Sequence, residues 1–445
     1  MSLTRREVLS GAVAVSSLAT AGRFIKAEAA ENAGAYAPVF AALDSYVERF
    51  LREANAPGLT LVLADREGVQ RVVTYGFGDK DLRTPVGPNE LFQIGSISKS
   101  FTAISLLQLH TEGRLDFHKP IQHYLPWLRI QSEYPPITVH HLLTHSSGLP
   151  AYSDLISTDP SYAHRAAYAP GTQYFYNNMA YSALGYLAWT LDGRQLPQLL
   201  RERVLSPLGM KHSEPAIDFD MRDRLVKSYT TFQSDRPQPR AARLCEAAPL
   251  IYTSAAGCVA ATAHNMGLYI QMLANRGRMA GGRLLSPEAF DLFATGHIAA
   301  PDFGATARYG YGMAVDQLDG NTMLFHTGGM LSFISSLMVD MDTGVGAFAA
   351  VNALDKTVTP IVRYANQLMR AHRERRSAPS VPPLAVPAWR VENAADYAGI
   401  YRQNNGRSLE VLADGERLFL RHKAKLVPLE TRGGRDTFLA LHPDF

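Results

Sequence analysis

The chain is poor in cysteine, in net charge and in long apolar runs, and each shortage excludes something. Of 445 residues only Cys245 and Cys258 are cysteines. Two thiols without a neighbouring ligand pattern exclude a disulfide-framed fold and a cysteine-built metal or redox centre. Cys258 lies in Ala255-Ala256-Gly257-Cys258-Val259, which reads as packed core, so two free thiols are expected. A formal charge of +3, with 19% of residues charged, gives no reason to expect nucleic acid as a partner. Beyond the N-terminus no segment is long and apolar enough for a membrane span. No serine has glycine two residues away on both sides, so the elbow of an α/β-hydrolase is missing. No motif calls for a cofactor or a metal.

What is present is a chain long enough for one large or two smaller domains, with a 46% hydrophobic share that can bury a core without staples. Residues 1–29 read as an export leader. Thr4-Arg5-Arg6-Glu7-Val8-Leu9 is a twin-arginine pattern, a small apolar run reaches Ala21, and Ala27-Glu28-Ala29 fits a small-x-small cleavage site. The expected destination is the bacterial periplasm or the exterior. Without those residues the chain is close to neutral.

Apolar positions at helical spacing predict a helix over 36–54, and apolar runs predict strands at 58–64 and 70–77 around the turn Asp65-Arg66-Glu67-Gly68. A helix opens near Ser96, with Phe101, Ile104, Leu107 and Leu109 on its buried side, and stops at Gly113. The middle, roughly 114–300, is mostly helices and loops, clearest at 138–145 and 179–191. Strands return at 322–328, 333–340 and 345–352, followed by a helix over 357–375. The layout is α+β: an antiparallel sheet built from both chain ends with a helical insertion between. Pro379, Pro382, Pro383 and Pro387 mark a linker over 377–388. It divides a domain at 30–376 from a small all-β module at 389–445, where Asp414-Gly415 signals a hairpin.

Three strings carry the chemistry. In Ser96-Ile97-Ser98-Lys99 a hydroxyl and an amine lie three residues apart, on one face of a helix. A serine is a poor nucleophile until a base takes its proton, and a lysine is a base only where burial or nearby charge lowers its proton affinity. Tyr176-Asn177-Asn178 adds a phenol for proton transfer and an amide that can both donate and accept. His326-Thr327-Gly328-Gly329 ends a strand, and its glycines allow close approach of a substrate backbone. The N–H groups of Ser96 and Gly329 can form an oxyanion hole. Alone, each string has a plain structural explanation as a cap, a loop or a turn.

Together, and in this order, they resemble the three motifs of the serine β-lactamase and penicillin-binding-protein superfamily. The branch resembled holds class C β-lactamases, D-alanyl-D-alanine carboxypeptidases, D-aminopeptidases and related esterases. Gln93-Ile94-Gly95-Ser96, Leu142-Leu143-Thr144-His145-Ser146-Ser147-Gly148-Leu149-Pro150, Pro207-Leu208-Gly209-Met210 and Tyr309-Gly310-Tyr311-Gly312 are similar to the same branch. The resemblance covers roughly 36–370. It implies that Ser96 is acylated, that Lys99 and Tyr176 share proton transfer, that Asn178 holds a substrate amide, and that His326, Thr327 and Gly328 line the binding edge. Class C β-lactamases have lysine where this chain has His326. A histidine of ordinary pKa is mostly neutral above pH 6.5, which moves the expectation toward a peptidase or esterase. Tyr397-Ala398-Gly399-Ile400-Tyr401 resembles the opening of a lipocalin-like domain, here cut short.

The expectation is an exported serine hydrolase that forms an acyl-enzyme on an amide or ester, first of all a D-amino-acid peptide. A carboxylesterase or a class C-like β-lactamase is the alternative, and a non-catalytic penicillin-binding sensor is the alternative of another class. The partner is a small-molecule or peptide substrate. His141 and His145 have the spacing of a zinc helix, but Leu142 stands where the general-base glutamate would be.

Overall fold

A computed structural model describes residues 26–29, 36–151, 155–157, 159, 161–231, 244–248, 250–354, 356–384, 390–402, 408–431 and 437–440. The twin-arginine string, the apolar run after it and linker residues 385–389 lie outside these. The first described strand, β1 (Lys26–Ala29), belongs to the segment expected as leader, and it pairs antiparallel with β3.

Helix α1 (Ala37–Ala54) leads into β2 (Gly58–Asp65) and β3 (Val69–Asp79). Helices α2 (Ser98–Thr111), α3 (Val139–Leu143), α4 (Asn178–Asp192) and α5 (Ala263–Ala274) belong to the inserted part. Strands β4 (Ile298–Ala299), β5 (Arg308–Tyr309), β6 (Ala314–Leu318), β7 (Asn321–Gly329), β8 (Ile334–Asp340) and β9 (Val345–Val351) precede α6 (Thr359–Arg373). The main sheet runs β1-β3-β2-β9-β8-β7-β6-β5-β4, with Thr84–Pro85 hung on β3. Every neighbouring pair is antiparallel. The two ends of the chain meet where β2 pairs with β9.

Side chains alternate across a strand, so a strand buried on both faces reads as an unbroken apolar run. In β2, Val62 and Ala64 join the core under α5, with Met266, Ile270 and Leu273. Leu59, Leu61 and Leu63 face the other way, toward Leu43 and Val47 of α1 and Ile361 and Leu368 of α6. In β9, Phe348 and Ala350 share the first core, and Ala347, Ala349 and Val351 the second. Buried Arg71 of β3 fastens α1 to the sheet by a two-pronged pair with Asp44, at 2.9 and 3.0 Å. Burial pushes the Asp44 carboxyl up, but hydrogen bonds from Arg71, Lys26 and Tyr75 outweigh it and hold it below its ordinary value.

Helix α2 departs from the one-sided pattern expected of it. It is enclosed almost all round, with Ser98, Ser100, Thr102 and Ser105 buried beside Phe101, Ile104 and Leu107. Its hydroxyls are satisfied locally or by neighbours: Ser100 donates to Ile97 O, Ser105 to Thr102 O and Thr102 to Ala255 O. Polar residues on a central helix therefore mark internal bonding and not an exposed face.

The C-terminal strands β10 (Gly399–Arg402), β11 (Ser408–Asp414), β12 (Arg417–His422), β13 (Lys425–Thr431) and β14 (Phe438–Ala440) form a meander in chain order. It has its own small core of Val391, Leu418, Leu420, Val427 and Leu429.

Candidate active site

Ser96 sits on a 3-10 turn (Gly95–Ile97) that runs straight into α2, and Lys99 is in the helix's first turn. Ser96 is partly open to solvent and Lys99 is fully buried. The Lys99 Nζ lies 3.1 Å from Ser96 Oγ, 2.8 Å from Asn178 Oδ1 and 2.8 Å from Ala256 O. Burial drives the Lys99 pKa well below its ordinary value. A neutral amine has two N–H bonds and one lone pair. The Asn178 and Ala256 oxygens only accept, so they take both N–H bonds. The lone pair is left for the Ser96 hydroxyl, the geometry a general base needs.

Asn177 fixes the second string. Its side chain caps α4 by accepting from Ala180 N at 3.0 Å, and its Nδ2 donates to Leu149 O at 2.8 Å. Its own N–H donates to His145 Nδ1 at 3.0 Å. Asn178 is then the first residue of the helix. Its oxygen, expected to meet a substrate amide, is committed to Lys99, which leaves Nδ2 to donate to a substrate oxygen. The Tyr176 ring lies 4.7 Å below the Lys99 amine. Burial raises the phenol's pKa, only partly offset by a hydrogen bond with Ser96, so Tyr176 is a neutral phenol.

The third string is the end of β7. Strand β6 pairs with β7 only as far as Phe325, whereas β8 continues alongside to Gly329. Residues 326–329 thus present one unpaired edge, with Thr327 and Gly329 exposed. This edge presses against the Ser96 turn. A Cβ on Gly328 would lie 2.0 Å from Ile94 O, and one on Gly95 would lie 2.8 Å from Gly329 N. Gly95 also has φ +53, in the left-handed region. The closeness of these backbones brings Gly329 N against the turn that carries Ser96, the pair expected to form an oxyanion hole.

His326 differs from expectation. The sequence places it at the substrate edge with an ordinary pKa. In the structure its ring is 1% exposed and both nitrogens are engaged. Nδ1 lies 2.6 Å from Thr327 O, which only accepts, so Nδ1 carries the proton. Nε2 then accepts from the Tyr309 hydroxyl at 3.0 Å. Burial, reinforced by the nearby Lys99, lowers its pKa to about 3. His326 is a neutral brace under the strand, and Thr327 is the side chain that reaches the surface.

His145, Tyr309 and the Ala256 carbonyl were not singled out from the sequence as site residues. His145 is buried, at φ +56, and packs against the rings of Tyr176 at 4.4 Å, Tyr309 at 4.7 Å and Tyr181 at 5.0 Å. Both His145 and Tyr309 occur in the family-like strings, which was the one sequence signal that pointed to this site. The zinc spacing of His141 and His145 serves other ends: His141 completes the capping box of α3 with Thr138, and His145 accepts from Asn177. Both cysteines are free, and Cys258 is buried beside Lys99.

The Beta-lactamase family model matches residues 43–370, which include all three strings. The chain belongs to the beta-lactamase family. Among relatives of this family, a beta-lactamase of Pseudomonas fluorescens is 33% identical over 178 residues, covering 38% of this chain and 49% of that protein. The match spans about half the length of that relative. Among solved structures, the octameric penicillin-binding protein homologue from Pyrococcus abyssi superposes with a TM-score of 0.66 at 22% identity, over 89% of this chain and 95% of the other. EstCE1, described as a hydrolase with promiscuous acyltransferase activity, gives 0.62 at 20% identity, over 76% and 99%. At such identities the two structures establish the shared β-lactamase-like fold.

Proposed function

We propose that the chain is a serine hydrolase that works through an acyl-enzyme on ester or amide bonds. The observation that carries this is the Lys99 amine, whose two N–H bonds are taken by Asn178 and Ala256 and whose lone pair meets Ser96. Ser96 Oγ attacks the substrate carbonyl and its proton passes to Lys99. The oxyanion sits between the N–H groups of Ser96 and Gly329. As the carbonyl re-forms, Tyr176 gives its proton to the departing nitrogen or oxygen and regains one from Lys99. Water then enters by the same route in reverse and releases the acid. Lys99 and Tyr176 are coupled, and the pH dependence belongs to the pair.

Sequence reading put D-amino-acid peptides first. The neutral His326 favours the uncharged members of that set: esters, and D-amino-acid amides without a free carboxylate next to the scissile bond. A fixed cation of the kind that would hold such a carboxylate is absent at the third string. The leader-like residues 1–29 make export to the periplasm or beyond part of the same reading, which deletion of 1–29 and cell fractionation would test.

Turnover of a panel of short esters, D-amino-acid amides, D-Ala-D-Ala peptides and a cephalosporin tests the proposal. Ser96→Ala should abolish every activity found. Near-normal rates in that variant would sink the scheme, and a lack of both turnover and a Ser96 adduct in the native chain would favour the sensor alternative.

A further inference from the structure

Beside the catalytic group, and not containing it, lies a cleft of about 580 Å³. Leu155, Ile156, Tyr186, Trp189, Leu196 and Pro197 supply half of the residues in its wall, and no charged side chain lines it among the described residues. Ile156 and Trp189 are 57% and 42% exposed, so large apolar surface stands uncovered there in the free chain. We propose that this cleft is the acyl-group subsite and that it takes an uncharged aliphatic or aryl acyl chain. The proposal rests on the acyl-enzyme reading above.

The cleft shares two walls with the catalytic group. One is α4. Asn178, which holds Lys99, opens the helix, and Ser182 in the cleft lies one turn further on, with its hydroxyl donating to Asn178 O at 3.3 Å. The other is the stretch through Thr253, Ser254 and Ala255, which continues directly into Ala256, the second acceptor of Lys99. Ser182 and Ser254 bond each other at 2.9 Å, which satisfies the polar groups at the junction and leaves the lining beyond them apolar. At 1.5 Å of helix rise per residue, the path from Asn178 to Trp189 is about 16 Å. That is room for a chain well beyond acetyl.

The side on which the cleft lies assigns it to the acyl group. Tyr176, which protonates the leaving atom, is packed between His145 at 4.4 Å, His326 at 6.3 Å and Phe303 at 6.5 Å. The leaving group must approach Tyr176 and is assigned to the side of Phe303, since His326 is buried. The acyl group, attached to Ser96, extends to the other side, past Asn178 and toward Ser182 and Ser254.

The test is a series of p-nitrophenyl esters from acetate to octanoate on the full chain, with intact-mass detection of the Ser96 adduct. The specificity constant kcat/KM should climb with acyl length, by up to about fourfold per methylene, the worth of burying one CH₂. Acetate esters of lengthening alcohols should show a weaker trend. Trp189→Ala removes a wall and Ser182→Phe fills the inner end, and each should lower the octanoyl-to-acetyl ratio by about tenfold or more. Both are compared with the native chain by thermal melting. A flat acyl series, a steeper alcohol series, or a ratio unchanged in both folded variants would overturn the subsite and leave the hydrolase reading standing. No turnover of any ester and no adduct at Ser96 would instead overturn the acyl-enzyme reading on which it rests.

Discussion

In the proposed mechanism a lysine acts as a base because complete burial lowers its proton affinity and its contacts with Asn178 and Ala256 leave the lone pair for Ser96. Lys99→Ala removes the base, and Tyr176→Phe removes the phenol while keeping the ring under the amine. Each should cost ~10²–10⁴ in kcat/KM on a chromogenic ester, the range for lost acid–base help. In the native chain kcat/KM should rise with pH through the Lys99 titration, because the neutral amine is the active form, and that limb should fall well below the ordinary lysine range. His326 makes the opposite kind of prediction. With its pKa at about 3 it stays neutral from pH 5 to 8. Binding of carboxylate-bearing inhibitors should therefore show no step near pH 6.5, which an inhibition constant measured across that range would reveal. These residues were unequally legible. Ser96, Lys99 and Tyr176 declare themselves by side-chain type and spacing. The Ala256 carbonyl has no side-chain signature and comes from 157 positions away. The neutrality of His326 depends on Tyr309 and Thr327 O, a pairing that only the folded strands create.

The elements hold the reactive groups by close backbone approach. The end of β7 and the turn before α2 touch so tightly that a methyl group does not fit between them. Gly328→Ala would bring its Cβ within 2.0 Å of Ile94 O and 2.3 Å of Ser335 Oγ, and one of the backbones would have to move. Overpacking of this kind costs about 1–3 kcal/mol. Displacing one oxyanion donor costs about 10²–10³ in kcat. Both losses should appear in Gly328→Ala, by denaturant unfolding and by ester turnover, with kcat falling more than KM rises. Most elements could be read from their periodicity. The apolar run at 58–64 and the Asp342-Thr343-Gly344 turn between β8 and β9 follow simple rules, and the structure places β2 at Gly58–Asp65. Helix α2 could be placed but its environment could not, since serines and threonines that look solvent-facing are in fact bonded inside the core. The Lys26–Ala29 pairing falls in a segment whose composition reads as leader, and composition carries no register.

Across the whole molecule, buried histidines tie stability to pH in the mildly acidic range. His140, His141, His145, His297 and His326 all have lowered pKa values with burial as the leading cause, His140 to about 4 and His326 to about 3. When the chain unfolds, each returns to about 6.5 and binds a proton that the folded state refuses. The histidine contribution to stability should be full above pH 6.5 and fall as pH drops below it, by about 1.4 kcal/mol per pH unit for each such histidine while the folded form stays neutral. Thermal melting between pH 7.5 and 5 checks this, and an unchanged midpoint would count against neutral burial of the group.

The same architecture has a consequence in time. Gly58 donates to Asn352 across 294 positions, and β2 is closed into the sheet by β9. Pairings this distant form late, because the loop must be closed before any contact repays it. A ribosome that has just finished α2 has made Ser96 and Lys99, but not Asn178, Ala256 or Gly329. A nascent or truncated chain therefore carries its nucleophile and its lysine without the acceptors that orient the amine and without Gly329. Reactivity begins only when the far end of the polypeptide arrives, so folding itself is the step that arms the serine.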